Sequence, residues 1–213
     1  MRSLGKIEFY KKDEIYHSQH FANRMFMLKK GFVKRYQVTN EEKVIELIYG
    51  PGYIFPLSQL YKELFGINQN EENFIYVYQA MTDIEAYSLD DKIIMEKIEK
   101  NPLLYIDLYY ESGLRIKSNI ERLASNSYRD DYKKVAHQLF CLAREFGKKA
   151  VVNKKEHIKI NVPLNAKDIA EQLNISEEIA ASVIDNLNKR KLIKTYKNFI
   201  YISSLNLLKD VYI

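Results

Sequence analysis

The histidines and the single cysteine come first, because imidazole and thiolate groups bind metal ions and haem iron. His17 and His20 lie close together in HSQH, and Cys141 lies in the apolar stretch QLFCLA. One cysteine cannot hold an iron–sulfur cluster or form an intramolecular disulfide, and its setting predicts a buried thiol. We expect no metal site, since two histidines specify one poorly, although a haem or metal role for His17 and His20 stays open.

Enzyme motifs are absent from the sequence. It contains no nucleophile elbow, Walker loop, dinucleotide-binding glycine pattern or zinc-type His/Cys cluster, and its seven glycines leave little material for phosphate loops. The acidic side chains lie in predicted turns or exposed helix faces, where solvated carboxylates are the norm. We therefore expect no enzymatic activity and assign no catalytic residue.

Positive charge is concentrated in the last third of the chain. The net charge is +5, and residues 128–213 hold 16 Lys and Arg against 10 Asp and Glu, whereas residues 1–127 hold 17 against 18. This imbalance favours a nucleic-acid partner, although an ordinary lysine-rich surface would give the same count.

Two short helices joined by about three residues are predicted in the basic region. Asn165 can cap a helix over AKDIAEQLN, with Asp168 adding negative charge near its start. Asn174 can take the left-handed conformation of a sharp turn, and Ser176 can cap the next helix, EEIAASVIDNLNKRK. This is helix-turn-helix spacing, and a helical hairpin that only packs is the alternative. The apolar contacts between the helices would come from Ile169, Leu173, Ile175, Ala180, Val183 and Leu187, with small Ala170 allowing close approach.

Short strands flank these helices. LIKTYKNFIYI predicts two strands around Lys197-Asn198, a β wing that carries Lys194 and Lys197, and VVNKKEHIKINVPL alternates as a strand pair would. Before them, DYKKVAHQLFCLAREFG predicts a helix that ends at Gly147. Its apolar face consists of Val135, Leu139, Leu142 and Phe146.

A long helix is predicted over residues 101–127, where Asn101 can cap it and Pro102 fits its first turn. Its apolar positions have the alternating spacing of three and four that is typical of a coiled-coil seam. We expect this stripe to be a homodimer interface, and packing onto the chain's own β domain is the alternative. The stripe consists of Ile106, Tyr109, Gly113, Ile116, Ile120 and Leu123.

The first region, from Lys6 to about Leu89, predicts an antiparallel β domain. Short runs rich in Tyr, Phe, Ile and Val, such as FVKRYQV and KVIELIY, alternate with turn signals. Gly31 and the Gly50-Pro51-Gly52 corner supply the backbone freedom of tight turns, and Val38-Thr-Asn-Glu-Glu predicts a hairpin tip. Several short strands at regular spacing indicate a roll or barrel.

In this order the segments resemble the Crp/Fnr-type family of transcription factors, that is, the cyclic-AMP receptor protein and fumarate–nitrate regulator family. RMFMLKKGFVKRYQV and KVIELIYGPGYIF are similar to its β-roll, and NAKDIAEQLNISEEIAASVIDNLNKRKLI to its DNA-binding motif. The resemblance implies an α+β protein with a cyclic-nucleotide-binding-like β-roll over residues 1–100, a dimerisation helix over 101–127 and a winged helix-turn-helix over 128–213. It also implies a homodimer that binds a near-palindromic DNA operator, with RNA polymerase as a possible partner.

The sequence departs from the family pattern where cyclic nucleotides bind. Family members that bind them carry a Gly-Glu pair and an arginine after the glycine-rich corner, whereas this chain has Pro56 and Leu57 at the pair's positions. No arginine occurs between Arg35 and Arg115, and Lys62 could supply a charge without the bidentate fork. We therefore expect no control by cyclic AMP and predict no cofactor. The effector is unknown, and the tyrosine-rich roll could enclose another small molecule or simply pack.

A second departure lies in the recognition helix. Family members commonly carry arginines at the positions of Glu177 and Ser182, where Arg would recognise guanine, whereas Glu178 matches a family glutamate that can accept from a cytosine amino group. An A·T-rich operator is consistent with this loss. Base edges would meet Ala181 and Ser182, and the cations would contact phosphates. The DNA-contacting candidates are Asn165, Lys167, Ser176, Glu177, Glu178, Ala181, Ser182, Lys189, Arg190, Lys194 and Lys197.

Two functions follow from these residues. The first is a sequence-specific dimeric transcription regulator, and the second is a sensor or protein-interaction module that kept the fold and lost specific DNA binding. We expect a cytoplasmic location without membrane contact, because the longest apolar runs fall far short of the ~18 residues of a span and MRSLGKIEFYKK lacks a secretory signal.

Overall fold

The computed structural model describes residues 6–17, 24–39, 42–56 and 76–213. The chain forms two compact units, Met1–Gly113 and Leu114–Ile213. The boundary between Gly113 and Leu114 lies within the helix Leu103–Leu123, so this helix contributes residues to both units.

Eight strands of the first unit form two antiparallel sheets. Their orders are β1-β8-β3-β6 and β2-β7-β4-β5, and all their pairings are antiparallel. This is the expected β-roll. The strands are β1 Lys6–Tyr10, β2 Ile15–His17, β3 Arg24–Lys30, β4 Val33–Thr39, β5 Glu42–Tyr49, β6 Ile54–Phe55, β7 Tyr76–Ala80 and β8 Ile84–Asp90.

The turns of the roll depend on glycine where expected. Gly31 has φ +92°, and a Cβ there would lie 2.4 Å from the carbonyl oxygen of Asp83, so both conformation and space exclude a side chain. Gly52 has φ +89° at the Gly50-Pro51-Gly52 corner. At the predicted hairpin, Thr39 pairs with Glu42, and the two residues between them lie outside the described part of the chain.

Two helices follow the roll. The first, α1 Asp91–Lys100, was not predicted, and Asp90 caps it by accepting from the backbone N–H of Lys92 at 2.9 Å. The second, α2 Leu103–Leu123, begins as expected, with Asn101 Oδ1 accepting from the backbone N–H of Leu103 at 3.3 Å. It ends four residues before the predicted boundary, where the chain tightens into the 3₁₀ turn Ala124–Ser127 and the Ser125 side chain is buried.

The second unit is a winged helix-turn-helix, as expected. Its four-stranded sheet has the order β11-β12-β10-β9. The α+β fold class is confirmed. The elements are α3 Asp131–Phe146, β9 Gly147–Val152, β10 Lys155–Ile160, α4 Ala166–Leu173, α5 Glu177–Lys189, β11 Ile193–Tyr196, β12 Phe199–Ile202 and α6 Leu205–Lys209.

The core of this unit lies around α3. Its predicted apolar face is buried, with Val135, Leu139 and Leu142 at 0% exposure. Gly147 ends the helix as predicted, but it does so in an ordinary conformation with φ −73°. The glycine is needed for space, since a Cβ there would lie 2.0 Å from the carbonyl oxygen of Ala143 and 2.6 Å from Ile158 Cγ2.

Among the described residues, no helix combines the length and apolar character that a membrane crossing requires.

Candidate DNA-binding surface

The first helix of the motif, α4, is fixed by a capping box. Asn165 Oδ1 accepts from the backbone N–H of Asp168 at 2.8 Å, and Asp168 Oδ2 accepts from the backbone N–H of Asn165 at 3.2 Å. The sequence predicted the cap but only a charge effect for Asp168, whereas its carboxylate closes the reciprocal bond. Asn165 and Lys167 are exposed at this end of the helix.

The turn and the second helix form where predicted, although the helix ends at Lys189, two residues before the predicted end. Asn174 has φ 50° and ψ 52°, the left-handed conformation, and the backbone N–H of Ile175 donates to Ala170 at 3.2 Å. Ser176 Oγ accepts from the backbone N–H of Ile179 at 3.2 Å and begins α5. The apolar side chains buried within the motif are Ile169, Ala170, Leu173, Ala180 and Leu187, whereas the predicted contacts Ile175 and Val183 are half-buried.

The outward face of α5 is acidic at its start. The side chains of Glu177, Glu178, Ala181 and Ser182 are exposed, as a groove-facing surface requires. Hydrogen bonds from the Glu178 backbone N–H and from the Ser176 hydroxyl to the Glu178 carboxylate lower the pKa of this group. Glu178 is therefore a charged acceptor at neutral pH, suited to an amino group on a base.

Sequence reasoning missed Asp185, which is exposed one turn beyond Ala181 on the same face. Continuing the helical period from Ala181 by four residues would have found it. Its carboxylate forms an ion pair of 2.6 Å with Lys189. The exposed side of α5 thus carries three acidic residues before its first lysine, Lys189.

Two predicted phosphate contacts already have partners within the protein. Lys189 pairs with Asp185, and Arg190 Nη1 donates to the Tyr132 hydroxyl at 2.7 Å, with the guanidinium carbon 5.5 Å from the Tyr132 ring centroid. Arg190 therefore ties the end of α5 to α3. Lys167 and Lys197 remain exposed, and Lys194 is half-buried.

The wing lies beside α5 and is bonded to it. The Lys197-Asn198 turn has positive φ values of 47° and 61°, as a tight hairpin between β11 and β12 requires. Asn188, which the sequence analysis also missed, donates from Nδ2 to Thr195 Oγ1 at 3.3 Å and accepts at Oδ1 from the Thr195 backbone N–H at 3.2 Å. The backbone N–H of Leu164 donates to the Asn198 carbonyl at 2.8 Å and holds the wing tip near the start of α4.

A cleft of about 430 Å³ separates the recognition helix from the wing. The predicted residues Asn165, Ala181 and Lys197 line this cleft together with Asp185 and Asn188, which were not predicted. Hydrogen-bonding groups lie on both sides of the cleft. A nucleic-acid backbone or base edge could enter it, because it is open and its walls carry hydrogen-bonding groups between apolar side chains. Its polar lining includes Asn165, Asp185, Asn188, Thr195, Lys197 and Asn198.

The predicted dimerisation stripe is exposed. Ile106, Tyr109, Ile116, Ile120 and Leu123 have exposed fractions between 57% and 69%, and Gly113 has open space where a Cβ would stand. These exposed apolar side chains extend along 18 residues of one helix face, which makes this face a candidate interaction surface.

The described part of the β-roll is filled by aromatic rings. Phe55 lies 5.9 Å from Phe26, 5.0 Å from Tyr49 and 5.4 Å from Tyr78 between ring centroids. Burial raises the pKa of the Tyr78 hydroxyl, which hydrogen-bonds to Arg35. The cavity among these rings is about 20 Å³, the space of roughly one water molecule, so no nucleotide fits in it.

Several residues of the possible cyclic-nucleotide and metal sites lie outside the described part of the chain. Leu57, Lys62 and His20 lie there, as does the side chain of His17, whose backbone belongs to β2. Among the described residues, no group of three or more His, Cys, Asp and Glu side chains could hold a metal ion. Cys141 is buried as predicted, and burial raises the pKa of its thiol to about 11, so it stays protonated and unreactive.

Comparison with known proteins supports the fold. No family model matches the sequence, and no curated protein matches it. Solved structures do match: a CRP/FNR-family transcriptional regulator from Thermus thermophilus aligns over 97% of this chain and 98% of its own, with 17% identity and a TM-score of 0.69. The chain therefore has the fold of CRP/FNR-type transcriptional regulators, as the sequence resemblance predicted.

Two further structures share the fold. FixK2 from Bradyrhizobium japonicum covers 98% of this chain and 97% of its own, with 14% identity and a TM-score of 0.76. A CooA variant from Carboxydothermus hydrogenoformans covers 98% of this chain and 88% of its own, with 17% identity and a TM-score of 0.72.

Proposed function

We propose that this chain is a dimeric, sequence-specific DNA-binding transcription regulator of the CRP/FNR type. One observation carries the proposal: the capped helix pair and the wing form a single bonded surface around an open cleft that has hydrogen-bonding groups on both sides. A recognition helix of this geometry enters the major groove, while a wing contacts phosphates. No catalytic step is part of the proposal, and the location proposed is the cytoplasm.

The dimer follows from the exposed stripe on α2. Two copies related by a two-fold axis would bury the same five apolar side chains from each partner. Because such a dimer presents two recognition helices related by the same axis, the operator is expected to be near-palindromic. RNA polymerase is proposed as a further partner at promoters that carry this operator.

Regulation by cyclic AMP is not part of the proposal. Pro56 is buried at a position where nucleotide-binding relatives place glycine, and the aromatic rings fill the described roll. Titration calorimetry with cyclic AMP should show no binding heat, and operator affinity should be the same with and without it. Binding of cyclic AMP at micromolar concentration would contradict this part of the proposal.

The acidic groove face favours a second candidate function. Glu177, Glu178 and Asp185 all place negative charge where DNA would approach, which disfavours a phosphate-rich partner. In this alternative the chain is a sensor or interaction module that kept the fold without specific DNA reading. Gel shifts against random duplexes at several salt concentrations separate the two, because the alternative predicts only weak binding without sequence preference.

A further inference from the structure

A network of buried polar side chains, linked by hydrogen bonds, crosses the core of the second unit. Ser125 and Gln138 are 0% and 2% exposed, and Gln172 and Asp168 are 7% and 9% exposed. These residues come from three different elements: the 3₁₀ turn after α2, the helix α3 and the first helix of the helix-turn-helix, α4. Buried polar groups on separate elements need partners, so their hydrogen bonds fix how the elements pack.

The hydrogen bonds of this network can be followed from Ser125 through Gln138 and Gln172 to Asp168. Ser125 Oγ lies 2.7 Å from His137 Nδ1 and donates to Gln138 Oε1 at 3.4 Å. The Gln138 amide donates to Gln172 Oε1, and Gln172 Nε2 donates to the Asp168 carbonyl at 3.0 Å. Asp168 is the residue whose side chain closes the capping box with Asn165. This hydrogen-bond network therefore reaches from the end of the dimerisation helix to the start of the DNA-binding motif.

Apolar packing alone would not fix the position of α4 relative to α3 as sharply. Leu139 and Ile169 are fully buried on α3 and α4, and side chains of this type hold helices together while tolerating small shifts. Two facing amides accept only one register, because a donor must meet an acceptor within about 3 Å. Gln138 and Gln172 thus set the position of α4 along α3.

Two further hydrogen bonds join the dimerisation helix, α2, to α3. Ser118 Oγ donates to Glu145 Oε2 at 2.7 Å, and Arg144 Nη1 donates to Glu121 Oε2 at 3.4 Å. Together with Ser125, these contacts set α3 against the last turns of α2. A displacement of this end of α2 must strain or carry along α3, and through the amides it must move α4.

We propose that Ser125, Gln138 and Gln172 are positioning residues that couple the end of the dimerisation helix to the first helix of the DNA-binding motif. The inference rests on the proposed function for its biological role, since it supplies a path by which the dimer could place its recognition helices. It does not rest on that function for its test, because the coupling lies within one chain.

The test is a double-mutant cycle read by amide hydrogen exchange on the full-length chain. Ser125→Ala is made alone and in a Gln138→Met/Gln172→Met background, where both amides are replaced by apolar groups of similar length. In the otherwise unaltered chain, Ser125→Ala should raise exchange in residues 166–173 about tenfold, the effect of one lost hydrogen bond. In the Met background it should leave this exchange unchanged, and strand β11 should be unaffected in both.

Equal increases in both backgrounds, or an increase in β11 as large as in α4, would overturn the coupling and leave a general structural role. No effect of Ser125→Ala on α4 in the unaltered chain would overturn it too. If the Met pair does not fold, a Gln138→Leu/Gln172→Leu background gives the same cycle with a different shape.

Operator binding provides a separate arm. The Met pair should keep its melting temperature within a few degrees while its affinity for the selected operator falls about tenfold. Should the unaltered chain bind no operator, the proposed function fails, whereas the exchange cycle still decides on the coupling.

Discussion

Asn188 and Thr195 form two hydrogen bonds with each other, one through Nδ2 to Oγ1 at 3.3 Å and one from the Thr195 backbone N–H to Oδ1 at 3.2 Å. Asn188 Nδ2 also donates to the Ile184 carbonyl at 3.1 Å. The side chain therefore joins the recognition helix to the wing, and the cleft between them has fixed walls.

Replacing Asn188 with Ala should release the wing. We expect operator affinity to fall about tenfold, because the wing's phosphate contacts lose their fixed geometry, while the melting temperature falls by only a few degrees. Fluorescence anisotropy and thermal melts give the two values. Thr195→Val is the matched control: it keeps the backbone bond, so a loss as large as that of Asn188→Ala would argue against the wing's attachment as the cause.

The residues at positions 177 and 182 should set the base preference. A Glu177→Arg/Ser182→Arg variant regains two groups that can bind guanine bidentately, each worth about 1–3 kcal/mol of discrimination. Selection of bound duplexes should then enrich guanine at new positions. A Lys209→Arg control on α6 should leave the consensus unaltered, and a double variant with the original consensus would show that these positions do not face the bases.

The stripe on α2 should hold the dimer. Ile116→Asp places a charge in the centre of the seam and should give a monomer by light scattering, with operator binding lost at the same time. Lys117→Asp introduces the same carboxylate next to the stripe and should leave a dimer. A dimeric Ile116→Asp chain that still binds operator would rule out this seam.

Gly147 should be among the least replaceable positions of the second unit. Gly147→Ala forces a methyl group against the Ala143 carbonyl and Ile158, and we expect a loss of about 1–3 kcal/mol in the free energy of unfolding. Urea denaturation measures it. Lys148→Ala, at the exposed next residue of β9, creates no such contact and should change the free energy of unfolding by less than about 0.5 kcal/mol, so equal losses at both positions would contradict the steric cause.

His137 should make the second unit sensitive to acid. Burial lowers the pKa of its imidazole below the ordinary 6.5, with Glu121 opposing the shift. The unfolded chain then binds a proton at higher pH than the folded chain, so the free energy of unfolding falls as the pH drops from about 6.5 through the folded pKa. Urea midpoints at pH 8 and pH 5 should differ less for His137→Gln than for the unaltered chain, and equal differences would exclude His137 as the source.

Local signals in the sequence predicted much of the second unit. Asn165, Asn174 and Ser176 each have a backbone role that their side chains dictate, and all three occupy it. The apolar stripe on α2 could be predicted for the same reason, since helical spacing alone decides which side chains share a face, and its role as a dimer seam stays a prediction.

What the sequence could not show depends on contacts between distant residues. Asn188 pairs with Thr195 only because the wing folds back on α5, and Gln138 meets Gln172 across 34 positions of the chain. Lys189 and Arg190 were predicted as phosphate contacts on charge, but partners within the fold already engage them. Charge marks a candidate cation, and only tertiary structure shows what already binds it.

The most direct test of the central claim is selection of bound sequences from random duplexes with the unaltered chain, followed by affinity measurements over a range of salt concentrations. We predict an A·T-rich inverted repeat, bound at least a thousandfold (~10³) more tightly than random DNA. The salt slope should reflect several phosphate contacts. Selection that enriches no motif, with equal weak affinity for every duplex, would contradict a sequence-specific regulator.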